Sequence, residues 1–288
     1  WHKPDTIPHG PAQAWMTEKF NAVPDLRKVY ATPDARGPRK LDAVTDEQTT
    51  DLAENWSRIA KTIVLENEGD LVGIAALREE WVFEGYDLDK EFPWLIVIGV
   101  AMDFDEFAAA PSSDTDTRSA LEVADKYNQG ARCAAQLSNW VRGHGFNAKP
   151  HVGPWSGSIT LTPAAIEAGF GELGDHGNII NDQYGSCFRL AAVSTDLPLV
   201  ADKPKKFGVD DYCMHCEACN HACPAGAIST EKQWVRGVEK YYVDFDKCLP
   251  YFNETHGCGI CLGVCPWSRP GVAEKLVPRL SGKQQTKD

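Results

Sequence analysis

Cys213-Met-His-Cys216-Glu-Ala-Cys219-Asn-His-Ala-Cys223-Pro224 carries four thiols at intervals of three, three and four, closed by a proline. A second run follows: Cys248, then Cys258-Gly-Ile-Cys261-Leu-Gly-Val-Cys265-Pro266. Eight of the ten cysteines therefore fall between residues 213 and 265. A cubane cluster needs four thiolates converging on one small volume, and two-residue gaps let a tight loop wrap three irons. The proline after the fourth cysteine cannot extend the helix behind it, so the chain turns where that thiolate crosses to the other cluster. This spacing assigns Cys213, Cys216, Cys219 and Cys265 to one [4Fe–4S] cluster. It assigns Cys258, Cys261, Cys223 and Cys248 to the other, with an insertion, Leu249 to Gly257, inside the second cluster loop.

Zinc and disulfides explain the pattern less well. Structural zinc uses paired C-x-x-C knuckles and has no use for Cys-Pro exits. Disulfides suit small secreted domains short of a core, whereas this chain is long enough to bury one. The spacing is that of bacterial two-cluster ferredoxins, which makes the chain an electron carrier. His215 and His221, between the ligands, read as solvated loop residues, and the isolated Cys133 and Cys187 as fillers of apolar space.

Working outward, 288 residues and 31.7 kDa allow one or two domains. A net charge of −12 and a pI near 5.1 argue against a nucleic-acid partner, which calls for a basic patch. The longest apolar stretch, Trp94 to Met102, is too short to cross a bilayer and reads as a buried strand. No signal peptide is visible, which points to the cytoplasm. The chain begins at Trp1, so a removed leader and an exported protein are the alternative.

Four regions emerge. Residues 1–45, with Pro4, Pro8, Pro11, Pro24, Pro33 and Pro38, read as an extended arm wrapping the body or a partner subunit, or joining a homodimer. Residues 46–200 form a body. Leu52, Trp56, Ile59, Ala60 and Ile63 are at helical spacing, and Asp70–Ala75, Trp94–Met102 and Arg189–Thr195 read as strands, the second central in its sheet. Arg118–Arg142 reads as a long helix, and Thr162-Pro163 as the N-cap and first residue of a short one over Ala164–Ala168. Residues 201–272 form the cluster module and 273–288 a tail. Gly169-Phe-Gly171-Glu-Leu-Gly174 matches G-x-G-x-x-G, yet it closes a helix where the dinucleotide fingerprint opens one, so it is no nucleotide site. Gly169, Gly171, Gly174 and Gly177 still mark backbone passing close to something bulky, a cofactor or another segment.

The segment Ala164-Ala-Ile-Glu-Ala-Gly-Phe-Gly-Glu-Leu-Gly-Asp-His-Gly177, with Tyr184-Gly-Ser-Cys-Phe-Arg-Leu190, Thr195-Asp-Leu-Pro-Leu199 and both cysteine runs, resembles the corrinoid-dependent reductive dehalogenases. Their relatives, the epoxyqueuosine reductases, share much of this core. The resemblance covers roughly residues 45 to 272 and includes the insertion after Cys248. The epoxyqueuosine reductases carry an acid in an Asp-Ser-Ala-Pro segment where this chain has Val152-Gly-Pro-Trp155, and they usually continue into a helical-repeat tail.

The resemblance implies an α+β architecture: a nitroreductase-like corrinoid-binding domain followed by a ferredoxin-like domain with two [4Fe–4S] clusters. It implies a base-off cobalamin or related cobamide, contacted by Gly169, Gly171, Gly174 and Gly177. It also implies reductive dehalogenation of a small organohalide, with electrons from a low-potential ferredoxin, flavodoxin or reductase. By the same resemblance the acid tyrosine is Tyr127 and the arginine beside it Arg189, which would stabilise phenolate and hold a departing halide. The family's third polar residue falls at or near Gly153, with Lys149, His151 or Trp155 as possible substitutes. Two other functions stay open: an epoxyqueuosine-reductase-like enzyme, and an electron-transfer subunit that kept the clusters and lost the corrinoid.

Overall fold

The computed structural model describes residues 9–30, 40–86, 92–153, 158–235 and 237–284. The body is built on strands β1 (Leu71–Ala76), β2 (Trp94–Ala101) and β3 (Ala148–His151), the short pair β4 (Glu172–Leu173) and β5 (Ile179–Ile180), and β6 (Phe188–Thr195). Four of them form one sheet in the order β1-β2-β6-β3, and every pairing in it is antiparallel. β2 is central, as its uninterrupted apolar run demands, because helices cover both faces of the sheet.

On one face Ile74, Ile96, Ile98, Val100, Ala191 and Val193 pack against the helices Ala53–Glu66 and Arg118–Gly143. Alanines 131 and 134 on the long helix are buried there, and their small side chains let it lie close to the sheet. On the opposite face Leu95, Val97 and Ala192 meet the Leu161–Glu167 helix and Phe170. Cys133 and Cys187 are buried within apolar clusters, as expected of fillers.

Three expectations change. Within the arm expected to be extended, His9–Ala22 and Pro24–Tyr30 are helices; Pro11 and Pro24 sit in first turns, where a missing N–H costs nothing. Val23 and Leu26 from this arm are buried with Ala120 on the long helix, and Lys19 pairs with Glu254 at 2.6 Å. Pro4, Pro8, Pro33 and Pro38 lie outside the described residues. The short helix begins two residues earlier than Thr162-Pro163 suggested: Thr160 is its N-cap, and Pro163 is accommodated within the first turn. Leu52 precedes its helix and is exposed, so the helical stripe begins at Trp56.

The cysteine-bearing module follows: helices Val209–Cys216 and Ala218–Ala222, the hairpin β7 (Ile228–Val235) and β8 (Val238–Val243), helix Phe245–Glu254 and helix Ile260–Gly263. The insertion after Cys248 continues the helix that carries it, and part of the expected tail is a further helix, Ala273–Gln284. Among the described residues no helix is long and apolar enough to cross a membrane.

Candidate active site

Cys213 and Cys216 lie one turn apart on the same helix, and Glu217 in left-handed conformation (φ 49°) redirects the chain so that Cys219 opens the next. Cys265 precedes the turn Pro266–Ser268, with Pro266 in its first positions. These four thiols line one pocket, together with Asp175, His176, Tyr212 and Trp267. The remaining four form a second set. Burial, then the neighbouring Cys258 and Cys223, pushes Cys248 up to about 11. Burial, then Cys258, Cys219, Cys248 and Cys223, pushes Cys261 up to about 12. Cys248, despite its distance in sequence, therefore belongs with Cys223, Cys258 and Cys261. Backbone amides turn toward the sulfurs, Ala227 N–H donating to Cys223 Sγ at 3.4 Å. Among the described residues no three His, Cys, Asp or Glu side chains gather so as to hold a single metal ion. His215 and His221 are exposed, as expected, but they stand on the helices Val209–Cys216 and Ala218–Ala222 and not in a loop.

A cavity of about 200 Å³ lies in the body, lined among others by Tyr127, Gly153, Asn178, Ser186, Phe188 and Arg189. Tyr127 projects from the long helix and Arg189 from β6, where it pairs with Val100. The guanidinium carbon of Arg189 lies 5.9 Å from the Tyr127 ring centroid and 5.7 Å from that of Phe107. Arg189 thus faces two rings, an attraction of cation to π-cloud. Its Nε is buried with no hydrogen-bond partner among the described residues. A buried donor left unpaired costs about 1–3 kcal/mol, so this one is poised for an acceptor arriving in the cavity.

Gly153 has a different meaning from the one expected. A Cβ at this position would run into Tyr127 Cδ1 and Cε1, so the bare backbone is what seats the ring. Neither Lys149 nor His151 replaces the missing polar group. Lys149 is exposed, and His151 is buried with its Nε2 bonded to Ser194 Oγ at 2.9 Å. Trp155 lies outside the described residues.

The four glycines expected against a cofactor each pack closely against protein, and none lines this cavity. A Cβ at Gly169 would meet Lys203 O at 2.8 Å, one at Gly174 would meet His176 Cε1 at 2.8 Å, and one at Gly177 would meet Val243 Cγ2 at 3.1 Å. At Gly171 it would strike Ile180 O. With φ at 82°, 146° and 75° for Gly169, Gly171 and Gly177, the chain needs glycine for its path as well as for space. The segment is a dock for the cysteine module. Within it Glu172 Oε1 accepts from the N–H groups of Phe207 (2.5 Å), Gly208 (2.9 Å) and Val209 (3.3 Å), capping the helix that carries Cys213 and Cys216.

His176 lies between the two sites. It lines the thiol pocket, its Nδ1 accepts from Asn178 N–H at 3.2 Å, and its Nε2 lies 3.2 Å from Ser186 Oγ. Burial pushes its imidazole down to about 4, and burial followed by the nearby Asp210 pushes Asp175 up to about 6. Ser186 stands within a quoted motif and Asn178 directly follows another, but neither carries chemistry a spacing rule selects; Phe83 and Thr160, also on the cavity wall, come from segments with no motif at all.

Residues 212–268 match the 4Fe-4S dicluster domain model. The chain is 27% identical over 248 residues to the tetrachloroethene reductive dehalogenase of Sulfurospirillum multivorans, covering 70% of this chain and 48% of that one. The Desulfitobacterium hafniense enzyme of the same name is 32% identical over 188 residues, 61% of this chain and 33% of that one. The chain is similar to reductive dehalogenases. The epoxyqueuosine reductase of Escherichia coli (strain K12) is 33% identical over 153 residues, 46% of this chain and 36% of that one. A solved reductive dehalogenase, described as suggesting a mechanism for B12-dependent dehalogenation, superposes with a TM-score of 0.79 at 22% identity. The match covers 96% of this chain and 43% of the other, so the dehalogenase fold extends across nearly the whole chain. The chain spans about half or less of the length of these dehalogenases.

Proposed function

We propose that the chain is the catalytic core of a corrinoid- and iron–sulfur-dependent reductase that removes halide from a small organohalide. The observation that carries this reading is the meeting of Tyr127 and Arg189 in one cavity, separated from the thiol set of Cys213, Cys216, Cys219 and Cys265 by His176. The likeness to the tetrachloroethene reductive dehalogenases supports it, and so does the B12 dependence stated of the superposable structure. On this reading the body is a nitroreductase-like corrinoid domain and the cysteine module a ferredoxin-like one.

The residues present fit both groups. The two thiol sets would hold two [4Fe–4S] clusters, which pass single electrons inward from a low-potential donor such as a ferredoxin, a flavodoxin or a reductase. The orphaned Arg189 Nε and the polar wall of Thr160, Thr162, Asn178 and Ser186 would face the cobamide and substrate. A bound cobamide supplies the strongly reducing centre that cleaves the carbon–halogen bond. Tyr127 then holds the proton at its phenolic oxygen, ready for the carbon left by the halide. Arg189, over the Tyr127 ring, offers its Nε–H to the departing anion and favours charge as it develops there. Phe107 and Phe188 flank this pair with apolar surface that limits water. Val152-Gly153 supplies no carboxyl group, which disfavours the epoxyqueuosine reaction.

The test is turnover by anaerobically prepared protein supplied with hydroxocobalamin and a strong one-electron reductant. Halide release from a chlorinated alkene or a halogenated phenol supports the reading. Activity on epoxyqueuosine alone, or on neither class, contradicts it.

A further inference from the structure

Ser186 presents only acceptors to the cavity, and the reason is its hydrogen-bond network. Its hydroxyl donates to Ile179 O at 2.7 Å, using the only proton Oγ has. Its backbone N–H donates to Ser268 Oγ at 3.2 Å. His176 completes the arrangement. Because Nδ1 accepts from Asn178 N–H, the ring proton sits on Nε2 and must be given to Ser186 Oγ. Both donors of Ser186 are therefore spent on the protein, while the residue remains on the cavity wall. His176 is 4% exposed and Ser186 3%, so water does not compete for these bonds.

A group that can only accept, set in a wall that otherwise carries donors, selects a ligand group that donates. We propose that Ser186 receives an N–H from a carboxamide on the rim of the corrinoid, with His176 as the positioning residue that holds Ser186 in its acceptor-only state. Corrin rings carry primary carboxamides around their edge, and each offers two N–H donors. The inference rests on the corrinoid reading above and extends it to a recognition contact. It also accounts for a histidine in the seat beside Gly174, where any Cβ would press on the ring: its imidazole accepts on one side and donates on the other within one rigid plane.

The test is equilibrium binding of hydroxocobalamin to the full chain, followed by the change in cobamide absorption. Iron content and the electron paramagnetic resonance of the reduced clusters are read on the same samples. Ser186→Ala should weaken binding about tenfold, the size of one well-placed hydrogen bond, with iron content and cluster signal unchanged. Ser186→Thr keeps the oxygen and should bind within about threefold of the unaltered chain. His176→Gln keeps an N–H donor and should retain more affinity than His176→Leu. Equal affinity of the unaltered chain and Ser186→Ala, with clusters intact in both, overturns the inference while leaving the corrinoid reading standing. If Ser186→Ala loses its clusters, the comparison of His176→Gln with His176→Leu decides, and equal affinity there overturns it. No binding by the unaltered chain overturns the corrinoid reading and the inference together.

Discussion

In the sheet body, Ile96, Ile98, Val100, Ala134, Leu137 and Val193 are buried in one continuous cluster, with a second cluster across the sheet. In the cysteine module the buried apolar residues are few: Phe207, Val209, Trp267 and Ala273 gather beside Cys213 and Cys265 themselves. Its hairpin buries only Ile228, and Trp234 near the tip is 75% exposed. The body folds on hydrophobic burial at about 25 cal/mol per Å². The module has too little of it and depends on what its thiols hold. Between them, the glycine segment and Glu172 belong to the body by sequence and to the module by contact.

The largest effect follows from that difference. Removing iron with a chelator under mild oxidation should abolish hydrogen-exchange protection across 209–268 while β1, β2 and β6 stay protected. Equal loss in both regions would break the comparison. Cys261→Ala should act in the same direction, since Cys261 is the thiol most surrounded by the others of its set.

Next come the cavity residues, which lie in the stable body and should alter chemistry with little change in stability. Tyr127→Phe is expected to lower turnover by about 10²- to 10⁴-fold, the range for a lost general acid. Thermal midpoints should stay within the change caused by about 0.5 kcal/mol. Gly153→Ala is the sharper probe, because its Cβ collides with the Tyr127 ring. It should cost about 1–3 kcal/mol in chemical denaturation and also lower turnover, since the ring must move. An unchanged Tyr127 environment in that variant would contradict the packing described.

The smallest effect is on pH dependence. The His176 imidazole is held down to about 4 by burial, below the ordinary value of 6.5. The unfolded chain therefore takes up a proton as pH falls through 6.5, while the folded chain does not until about 4. Stability should fall by about 2 kcal/mol between pH 7 and pH 5 from this group alone. His176→Gln should flatten that part of the profile, measured by urea unfolding of cluster-loaded protein. An identical slope would place the imidazole in a wetter setting than its 4% exposure implies.

Much of this was legible in the residues. The Cys-Pro exits and two-residue gaps mark seven of the eight thiols, because ligand spacing is a local property of the chain, and Cys248 is the one left to complete the second set. The unbroken apolar run of β2 and the alanine stripe of the long helix are equally local. Contacts between distant segments were not legible. That Gly169 and Gly177 seat other protein segments depends on where Lys203 and Val243 arrive in space. That Gly153 makes room for Tyr127 depends on a partner 26 positions away. The prolines of the arm misled because proline is as much at home in a helix's first turn as in an extended chain. Ser186 and Asn178 stayed without a role because serine and asparagine acquire chemistry only from their neighbours.

The most direct test of the account is metal analysis of anaerobically purified full-length chain after reconstitution with iron, sulfide and hydroxocobalamin. It predicts about eight irons and about one cobalt per chain, with a cobamide absorption band that survives gel filtration. About eight irons with no retained cobalt would contradict it, leaving an electron carrier whose cavity serves some other ligand.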